Sequence, residues 1–199
     1  DPAFSAMSAE QKNAVVTNLL MGTAHPLVDV ELGDGTYYSP RRVGAGAVDA
    51  LAATTATVYP TVVGAADPSR PKADLGDGTK GWTFQVQLTN LSDAAHTYTL
   101  GGQALSEMVE EGLFLEHSQN WAGAGISLTF SGDGVAEAGD AQQITVPAKS
   151  TATVTVAVTP ESEFAAFASE NAPKGTFIDG AVTFTSEDGT PSLTVPYLG

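Results

Sequence analysis

The sequence predicts a mainly β protein: an antiparallel β-sandwich preceded by a short α-helical segment. From residue 57 onward, apolar and polar residues alternate in several short runs, which is typical of strands with one buried face. Turn residues such as Gly132-Asp133-Gly134 separate these runs, as they do in antiparallel sandwiches. Before residue 57 the apolar residues follow helical spacing. We therefore predict two units, residues 1–56 and residues 57–199.

The first predicted helix begins near Ala9, because Ser8 and Gln11 are spaced as a capping box. In this motif each side chain satisfies a free backbone N–H at the helix start. Gly22 is placed to end the helix in the left-handed conformation. Four apolar side chains fall on one face at helical spacing: Val15, Val16, Leu19 and Leu20. Exposing such a stripe is unfavourable, so we expect it to pack against the sandwich or to form a homodimer with a second copy.

A second short helix is predicted from Ala45 to Ala53, with Val48 and Leu51 on the same side. Isolated helices of this length are only marginally stable in water. The change from helical to strand patterning falls between Ala53 and Val58. Both helices therefore need a partner surface outside the segment that forms them.

Within the predicted sandwich, the clearest strand runs over residues 82–89. Its alternate residues form one apolar face: Trp82, Phe84, Val86 and Leu88. The same pattern predicts strands over residues 125–130, 142–146, 151–158, 175–184 and 192–197. A helical turn is predicted across one end of the sheets, within residues 161–171, where three residues have helical spacing: Phe164, Phe167 and Ala168. Between Tyr98 and Asn120 the pattern assigns no clear strand.

Composition excludes several classes of protein. Hydrophobic residues make up 42% of the chain and the mean hydropathy is +0.01, so the chain has enough apolar side chains to form a core. No apolar run approaches the roughly 20 residues that span a bilayer. The net charge of −15 repels phosphate backbones and anionic lipid surfaces. With no cysteine, disulfides and thiolate metal sites are excluded. We expect neither nucleic-acid binding nor membrane insertion.

Four segments, two near each end of the chain, resemble a known family. Residues 19–24, Leu-Leu-Met-Gly-Thr-Ala, resemble the end of the helix that closes the protease domain of cell-envelope subtilisin-like serine proteases of Gram-positive bacteria, the group of lactocepins and streptococcal C5a peptidases. Residues 39–50, Ser-Pro-Arg-Arg-Val-Gly-Ala-Gly-Ala-Val-Asp-Ala, resemble the segment that leads out of that domain. Residues 177–184 and 193–199 resemble the final hairpin of the fibronectin-III-like domain that follows it.

The resemblance implies a domain organisation and a location. Residues 1–56 would be the C-terminal end of a subtilase domain, a helix plus an exit segment, and residues 57–199 a fibronectin-III-like β-sandwich. The chain would then be a non-catalytic fragment of a secreted or cell-surface endopeptidase, found outside the cell, in the cell wall or on the cell surface. Its partners would be the rest of the parent protease and the protein or peptide substrate, and its role that of a scaffold or substrate-positioning domain.

The catalytic residues of that family have no counterpart in this sequence. The nearest imitation of the Gly-Thr-Ser-Met-Ala nucleophile motif is Gly22-Thr23-Ala24, and Ala24 has no hydroxyl. The three histidines lie in contexts unlike the family's catalytic histidine: His25, His96 and His117. A triad is therefore not expected, and each histidine is interpreted as a surface loop residue. We predict no catalytic, cofactor-binding or metal-binding residue, so enzymatic activity would belong to the parent protein.

Four alternative interpretations are compatible with the sequence. The Gly-Asp-Gly triplets at residues 33–35, 76–78 and 132–134 could supply oxygen ligands to calcium, but tight turns explain them more simply. Arg41 and Arg42 could contact substrate; we favour an anchoring role in which one of them binds carboxylates or carbonyls. Trp82 and Trp121 could form a ligand platform, with a core position favoured for Trp82. Finally, the sandwich could be an independent adhesion or carbohydrate-binding module.

Overall fold

The computed structural model describes residues 2–199 and contains five helices and eleven strands in that range. The helices are α1 Pro2–Ala6, α2 Ala9–Gly22, α3 Pro40–Val43, α4 Ala50–Thr55 and α5 Ser162–Asn171. The strands are β1 Val58–Val62, β2 Ala73–Asp74, β3 Trp82–Asn90, β4 His96–Glu110, β5 Leu113–Asn120, β6 Ile126–Ser131, β7 Val135–Ala138, β8 Ala141–Val146, β9 Thr151–Pro160, β10 Asp179–Ser186 and β11 Leu193–Leu198. No helix in the described range is long and apolar enough to cross a bilayer.

Two sheets pack face to face and confirm the predicted sandwich. One has the strand order β1-β3-β9-β6, and the other has the order β2-β11-β10-β4-β8-β7, with β5 paired to β4. Neighbouring strands are antiparallel except for the short parallel pair β2 and β11. Side chains from both sheets form one continuous core that includes Val86, Val156, Val182 and Tyr197. The alternation predicted for β3 is confirmed, since Phe84, Val86 and Leu88 are buried.

Helix α2 begins as predicted but ends differently. The Ser8 side chain accepts a hydrogen bond from the backbone N–H of Gln11 and the Gln11 side chain accepts one from Ser8, so the capping box is confirmed. The prediction that Gly22 ends the helix in the left-handed conformation is wrong, because Gly22 is the last residue of α2 and Thr23, at φ −100°, caps it. Gly22 is needed for close packing: a Cβ there would lie 2.5 Å from Cδ of Pro60.

The apolar stripe of α2 is divided between two environments. Val15 is buried and Leu19 is half-buried, whereas Val16 is 44% exposed and Leu20 is 38% exposed. The buried face is rotated toward Asn18, whose amide donates to the carbonyl of Pro68 at 3.2 Å. The helix packs against β1, β11 and α4. The expectation of sandwich packing therefore holds for half of the stripe, and the homodimer stays a prediction.

Helix α4 differs from the second predicted helix in its start and in its buried face. It begins at Ala50, because the Asp49 carboxylate caps it by accepting from the backbone N–H of Ala52 at 2.8 Å. Val48 precedes the helix, and both Val48 and Leu51 are exposed, at 67% and 73%. The predicted inward face is wrong, because Ala53 is the residue of α4 that is buried.

The segment without a strand assignment contains most of β4, which is the longest of the described strands, and the whole of β5. Gly101 and Gly102 interrupt the apolar pattern of β4 but leave the backbone paired with β10, where Gly101 faces Thr183 and Gly102 faces Val182. A bulge between Glu107 and Val109 shifts the register against β5 and breaks the period of two. The helix predicted near one end of the sheets is confirmed as α5, with Phe164 buried.

Candidate functional site

A buried carboxylate marks where the N-terminal segment meets the sandwich. Asp179, the first residue of β10, is 0% exposed. Its Oδ2 accepts hydrogen bonds from Nε of Arg41 at 2.6 Å and from the Ser39 hydroxyl. Burial raises the pKa of the Asp179 carboxyl, although the hydrogen bonds from Arg41 and Ser39 oppose this. Its Oδ1 has no protein partner among the described residues.

Arg41 reaches this carboxylate from the short helix α3. Ser39 caps α3 by accepting from the Arg41 backbone N–H at 3.2 Å, and Pro40 fits the first helical position. The guanidinium also contacts Oε1 of Glu107 at 3.3 Å and lies 4.5 Å from the Phe177 ring centroid. Burial lowers the pKa of Arg41, but the hydrogen bonds to Asp179 and Glu107 outweigh it and the net shift is upward. The Arg41 guanidinium therefore stays protonated.

Arg42 attaches the same segment to the edge of strand β5. Its guanidinium donates to the backbone carbonyl of Glu116 and, at 3.4 Å, to that of Leu115. The anchoring role predicted for one arginine is confirmed, and the structure assigns it to both. The two side chains point to different targets: Arg41 binds carboxylates and Arg42 binds carbonyls.

A second buried carboxylate belongs to the N-terminal segment and meets a sandwich histidine. Asp29 is 0% exposed, and its Oδ2 lies 2.6 Å from Nδ1 of His117. Burial raises the pKa of Asp29, but hydrogen bonds from His117, Glu31 and Tyr38 outweigh it and the pKa is lowered. The pKa of His117 is raised, mainly by the hydrogen bond to Asp29 and against the effect of burial. Nε2 of His117 is 3.7 Å from Oε2 of Glu31.

A glutamine side chain completes the attachment. Gln103 on β4 accepts from the backbone N–H of Tyr37 at 2.9 Å and donates to the Gly35 carbonyl at 2.8 Å. These bonds satisfy backbone groups of a loop that lies outside the sheets. We call this set of contacts the clasp: Ser39 and Arg41 with Asp179 and Glu107, Arg42 with β5, Asp29 with His117, and the loop at residues 35–37 with Gln103.

The His117–Asp29 contact gives the clasp a pH dependence. A raised folded-state pKa means that His117 contributes all of its stability below the ordinary pKa of 6.5 and loses it as pH rises through the folded value. A lowered pKa means that Asp29 contributes above 3.8 and loses this as pH falls through its folded value. We therefore expect the native protein to have a higher free energy of unfolding than His117→Gln. The difference should be largest between the ordinary pKa values of 3.8 and 6.5.

The measurement is urea denaturation of both proteins from pH 5 to pH 9. The stability difference should shrink as pH rises above 6.5. The matched control is His25→Gln, because the His25 side chain is 69% exposed while it contacts Asp49. A native-minus-His117→Gln difference that stayed constant across this range would contradict the prediction.

The interpretation of the histidines as surface residues holds only for His25. His96 is 8% exposed, and its Nδ1 lies 2.7 Å from Oδ2 of Asp188. Burial raises the pKa of Asp188, but hydrogen bonds from His96 and Thr190 outweigh it and lower the pKa to about 2. Nε2 of His96 lies 2.9 Å from the Ser92 hydroxyl. The spacing is that of a Ser-His-Asp triad, an arrangement the sequence did not predict.

The surroundings of Ser92 favour a structural role for these three residues. Its hydroxyl is also 2.8 Å from Oδ1 of Asn90 and 2.9 Å from the Ala94 carbonyl, so two further acceptors compete with His96 for one proton. The Asn90 amide nitrogen donates hydrogen bonds to the carbonyls of Ala94, Val146 and Pro147. Two cavities of the described range lie away from Ser92, beside α3 and β11. The cluster joins the loop before β4 to the β10–β11 turn.

The two tryptophans and Asp34, which were candidate ligand-binding residues, make contacts within the fold. Trp121 is buried against Phe164 and Phe167, and its indole N–H donates to the Ser106 hydroxyl at 2.9 Å. Trp82 is half-buried and donates to the Gly76 carbonyl at 2.9 Å. Asp34 accepts from the backbone N–H of Thr36 at 2.9 Å, as expected of a turn. Among residues 2–199 no group of three or more histidine or acidic side chains is placed to hold a metal ion.

The fold and the clasp define a two-sheet β-sandwich that carries a helical segment against β1, β10 and β11. A family model described as "Fn3-like domain" matches residues 74–198. The chain therefore belongs to the Fn3-like domain family, as the resemblance to fibronectin-III-like domains predicted. This match covers the sandwich from β2 to β11.

Curated relatives align with nearly the whole chain. The C5a peptidase of Streptococcus pyogenes serotype M1 is 26% identical over 202 residues, which cover 98% of this chain and 15% of that protein. The PII-type proteinase of Lactococcus lactis subsp. cremoris is 29% identical over 202 residues, which cover 98% of this chain and 10% of that protein. The chain thus spans a small part of the length of these relatives. The solved structure of a FixG-related protein of Vibrio parahaemolyticus is also similar. The aligned region covers 71% of this chain and 94% of that chain, with 9% identity and a TM-score of 0.40.

Proposed function

We propose that this chain is a non-catalytic part of a secreted or cell-surface subtilisin-like serine endopeptidase. In this proposal residues 1–56 are the end of the protease domain, and residues 57–199 are an Fn3-like scaffold behind it. The names of the relatives, C5a peptidase and PII-type proteinase, support the parent activity. Their alignment across both units supports an organisation in which the two units occur together. The location would be outside the cell, in the cell wall or on the cell surface.

The observation that carries the proposal is the uneven distribution of exposed apolar side chains. Among residues 4–199, seven of the eleven large apolar side chains that are exposed precede residue 57: Val16, Leu20, Leu27, Val28, Val30, Val48 and Leu51. Val16, Leu20, Val48 and Leu51 lie on or beside α2 and α4, which pack against each other. An exposed apolar patch on a folded protein marks an interaction site, and we assign the patch on α2 and α4, which does not include Val28 and Val30, to the preceding protease domain.

The clasp explains how such a contact would support a protease. Ser39 and Arg41 bind Asp179 on β10, and Asp29 binds His117 on β5. These contacts hold the helical segment on the sandwich, so a domain that packs on α2 and α4 is connected firmly to the sheets. The same contacts argue against the alternative of an independent adhesion or carbohydrate-binding module, because deleting residues 1–55 would remove the partners of the buried Asp179.

A chimera tests the scaffold role. The 202-residue segment of the L. lactis PII-type proteinase that aligns with this chain would be replaced by residues 1–199, and casein cleavage by the secreted product would be measured. We expect activity in the chimera and a several-fold lower yield of active enzyme when Val48→Ser and Leu51→Ser are combined, because their apolar contact is lost. Val63→Ser is the matched control, since Val63 is 50% exposed but lies in the sandwich unit. Equal yields from both variants would overturn the proposed face.

The isolated chain tests the absence of catalysis. A fluorophosphonate probe labels serine hydroxyls that are activated by an adjacent base. We expect no labelling of Ser92 and no cleavage of casein by residues 1–199 alone. Labelling that disappeared in Ser92→Ala but persisted in Ser131→Ala would show that the Ser92–His96–Asp188 cluster is catalytic after all.

A further inference from the structure

The end of the β4–β5 pair projects beyond the sheet. The last residue of β4 that pairs with β10 is Leu105, which faces Asp179. From Ser106 onward β4 pairs with β5 alone, up to Glu110 facing Leu113. We call residues 106–119 the ribbon. Its tip turns at Glu111 and Gly112, both with positive φ, and there β4 and β5 pair with each other and with no third described strand.

Large apolar side chains are exposed at the ribbon tip. Leu113 is 67% exposed and Phe114 is 54% exposed. The loop of the N-terminal segment that contacts the ribbon adds Val28, 43% exposed, and Val30, 81% exposed. These valines flank Asp29, which binds His117 on β5. His117 is three residues from Phe114 on β5, which places them at most about 10 Å apart along the chain, so one extended polypeptide segment is long enough to reach both apolar pairs.

Negative charge surrounds these apolar side chains. Glu110, Glu111 and Glu116 are exposed on the ribbon, and the Glu31 side chain, on the contacting loop, is 72% exposed. The nearby arginine side chains already have other partners, because Arg41 binds Asp179 and Glu107 and Arg42 binds backbone carbonyls. A ligand for this surface must therefore bring positive charge together with apolar side chains.

We propose that the ribbon tip and the Val28–Val30 loop bind a cationic, apolar polypeptide segment in an extended or flexible conformation. A second copy of the chain is disfavoured because both copies would carry a charge of −15. Nucleic acid and anionic lipid are repelled by the same charge. The inference goes beyond the scaffold role, since it concerns a ligand that binds in trans and it does not require the parent to be a protease.

Binding of labelled octapeptides to residues 1–199 tests the proposal by fluorescence polarisation. The probes are a peptide of alternating lysine and leucine, one of alternating lysine and serine, and one of alternating glutamate and leucine. We expect the lysine–leucine peptide to bind, with an affinity that falls as salt is raised. The glutamate–leucine peptide should not bind, and the lysine–serine peptide should bind at least about tenfold more weakly because it lacks the apolar contact.

Two variants locate the site. Leu113→Ser combined with Phe114→Ser, and separately Glu110→Gln, Glu111→Gln and Glu116→Gln combined, should each weaken the lysine–leucine peptide about tenfold. Two control variants make matched changes elsewhere: Val63→Ser, and Glu137→Gln, Glu161→Gln and Glu170→Gln combined. The ribbon residues are exposed, so the variants should keep the native circular dichroism and melting temperature. Absence of binding, equal binding by the lysine–serine peptide, or equal loss in the controls would each overturn the proposal.

Discussion

Arg41→Ala is expected to lower the free energy of unfolding by about 3–5 kcal/mol, the cost of leaving a buried charge without its partner. Asp179 is 0% exposed and shares its Oδ2 between Arg41 and Ser39. Without the guanidinium, the carboxylate must either protonate or stay charged with one hydroxyl donor. A loss of this size is a large part of the stability of an ordinary domain, and urea denaturation at pH 7 measures it.

Two further variants separate the ion pair from the general effect of losing an arginine. Arg70→Ala is the matched control, because Arg70 contacts Asp67 at 3.3 Å with both side chains at least half exposed; exposed pairs contribute at most about 1 kcal/mol. Arg41→Met combined with Asp179→Leu removes both charges and should recover much of the loss. If Arg41→Ala cost no more than Arg70→Ala, the clasp would not be the attachment described.

Trp121→Ala is expected to lower the free energy of unfolding by about 3–5 kcal/mol, as large aromatic truncations in cores do. Trp121 is 8% exposed and lies at centroid distances of 5.3 Å from Phe164 and 4.8 Å from Phe167. Its loss would open a cavity under α5 and leave the Ser106 hydroxyl without the indole N–H. Thermal unfolding followed by circular dichroism gives the change in stability.

The control for Trp121 is Leu113→Ala, which truncates an apolar side chain that is 67% exposed. A substitution of this kind should change the free energy of unfolding by about 0.5 kcal/mol or less. Trp121→Phe should fall between the two, because it keeps an aromatic ring but loses the hydrogen bond to Ser106. A stability of Trp121→Ala equal to that of Leu113→Ala would contradict a core position for this tryptophan.

Elements defined by local pattern were predictable from the sequence. The capping box at Ser8 fixes the start of α2, because its two hydrogen bonds join residues three positions apart. The strict alternation of β3 fixes which side faces the core, since a strand shows alternate residues to opposite faces. Helix α5 was equally visible from the spacing of Phe164 and Phe167.

Features that depend on contacts between distant segments were not predictable in the same way. The pattern of α2 allowed a stripe through Val16 and Leu20, but packing against β1 and β11 turned Val15 and Asn18 inward instead. The Ser92–His96–Asp188 cluster was missed because Asp188 is 92 residues from His96. Strand β4 was not predicted because a bulge and two glycines interrupt its apolar–polar alternation. Only its pairing with neighbouring strands keeps it in the sheet.

The sequence by itself determined the sandwich class, the family resemblance and the anchoring role of an arginine in the Ser39-Pro40-Arg41-Arg42 segment. Only the tertiary structure decided what is anchored: Arg41 meets Asp179 across 138 residues, and Arg42 meets the carbonyl of Glu116 across 74. The physical reason is that periodicity and capping report interactions within a few residues. The partner of a buried charge is set by which strands the folded sheets bring beside it.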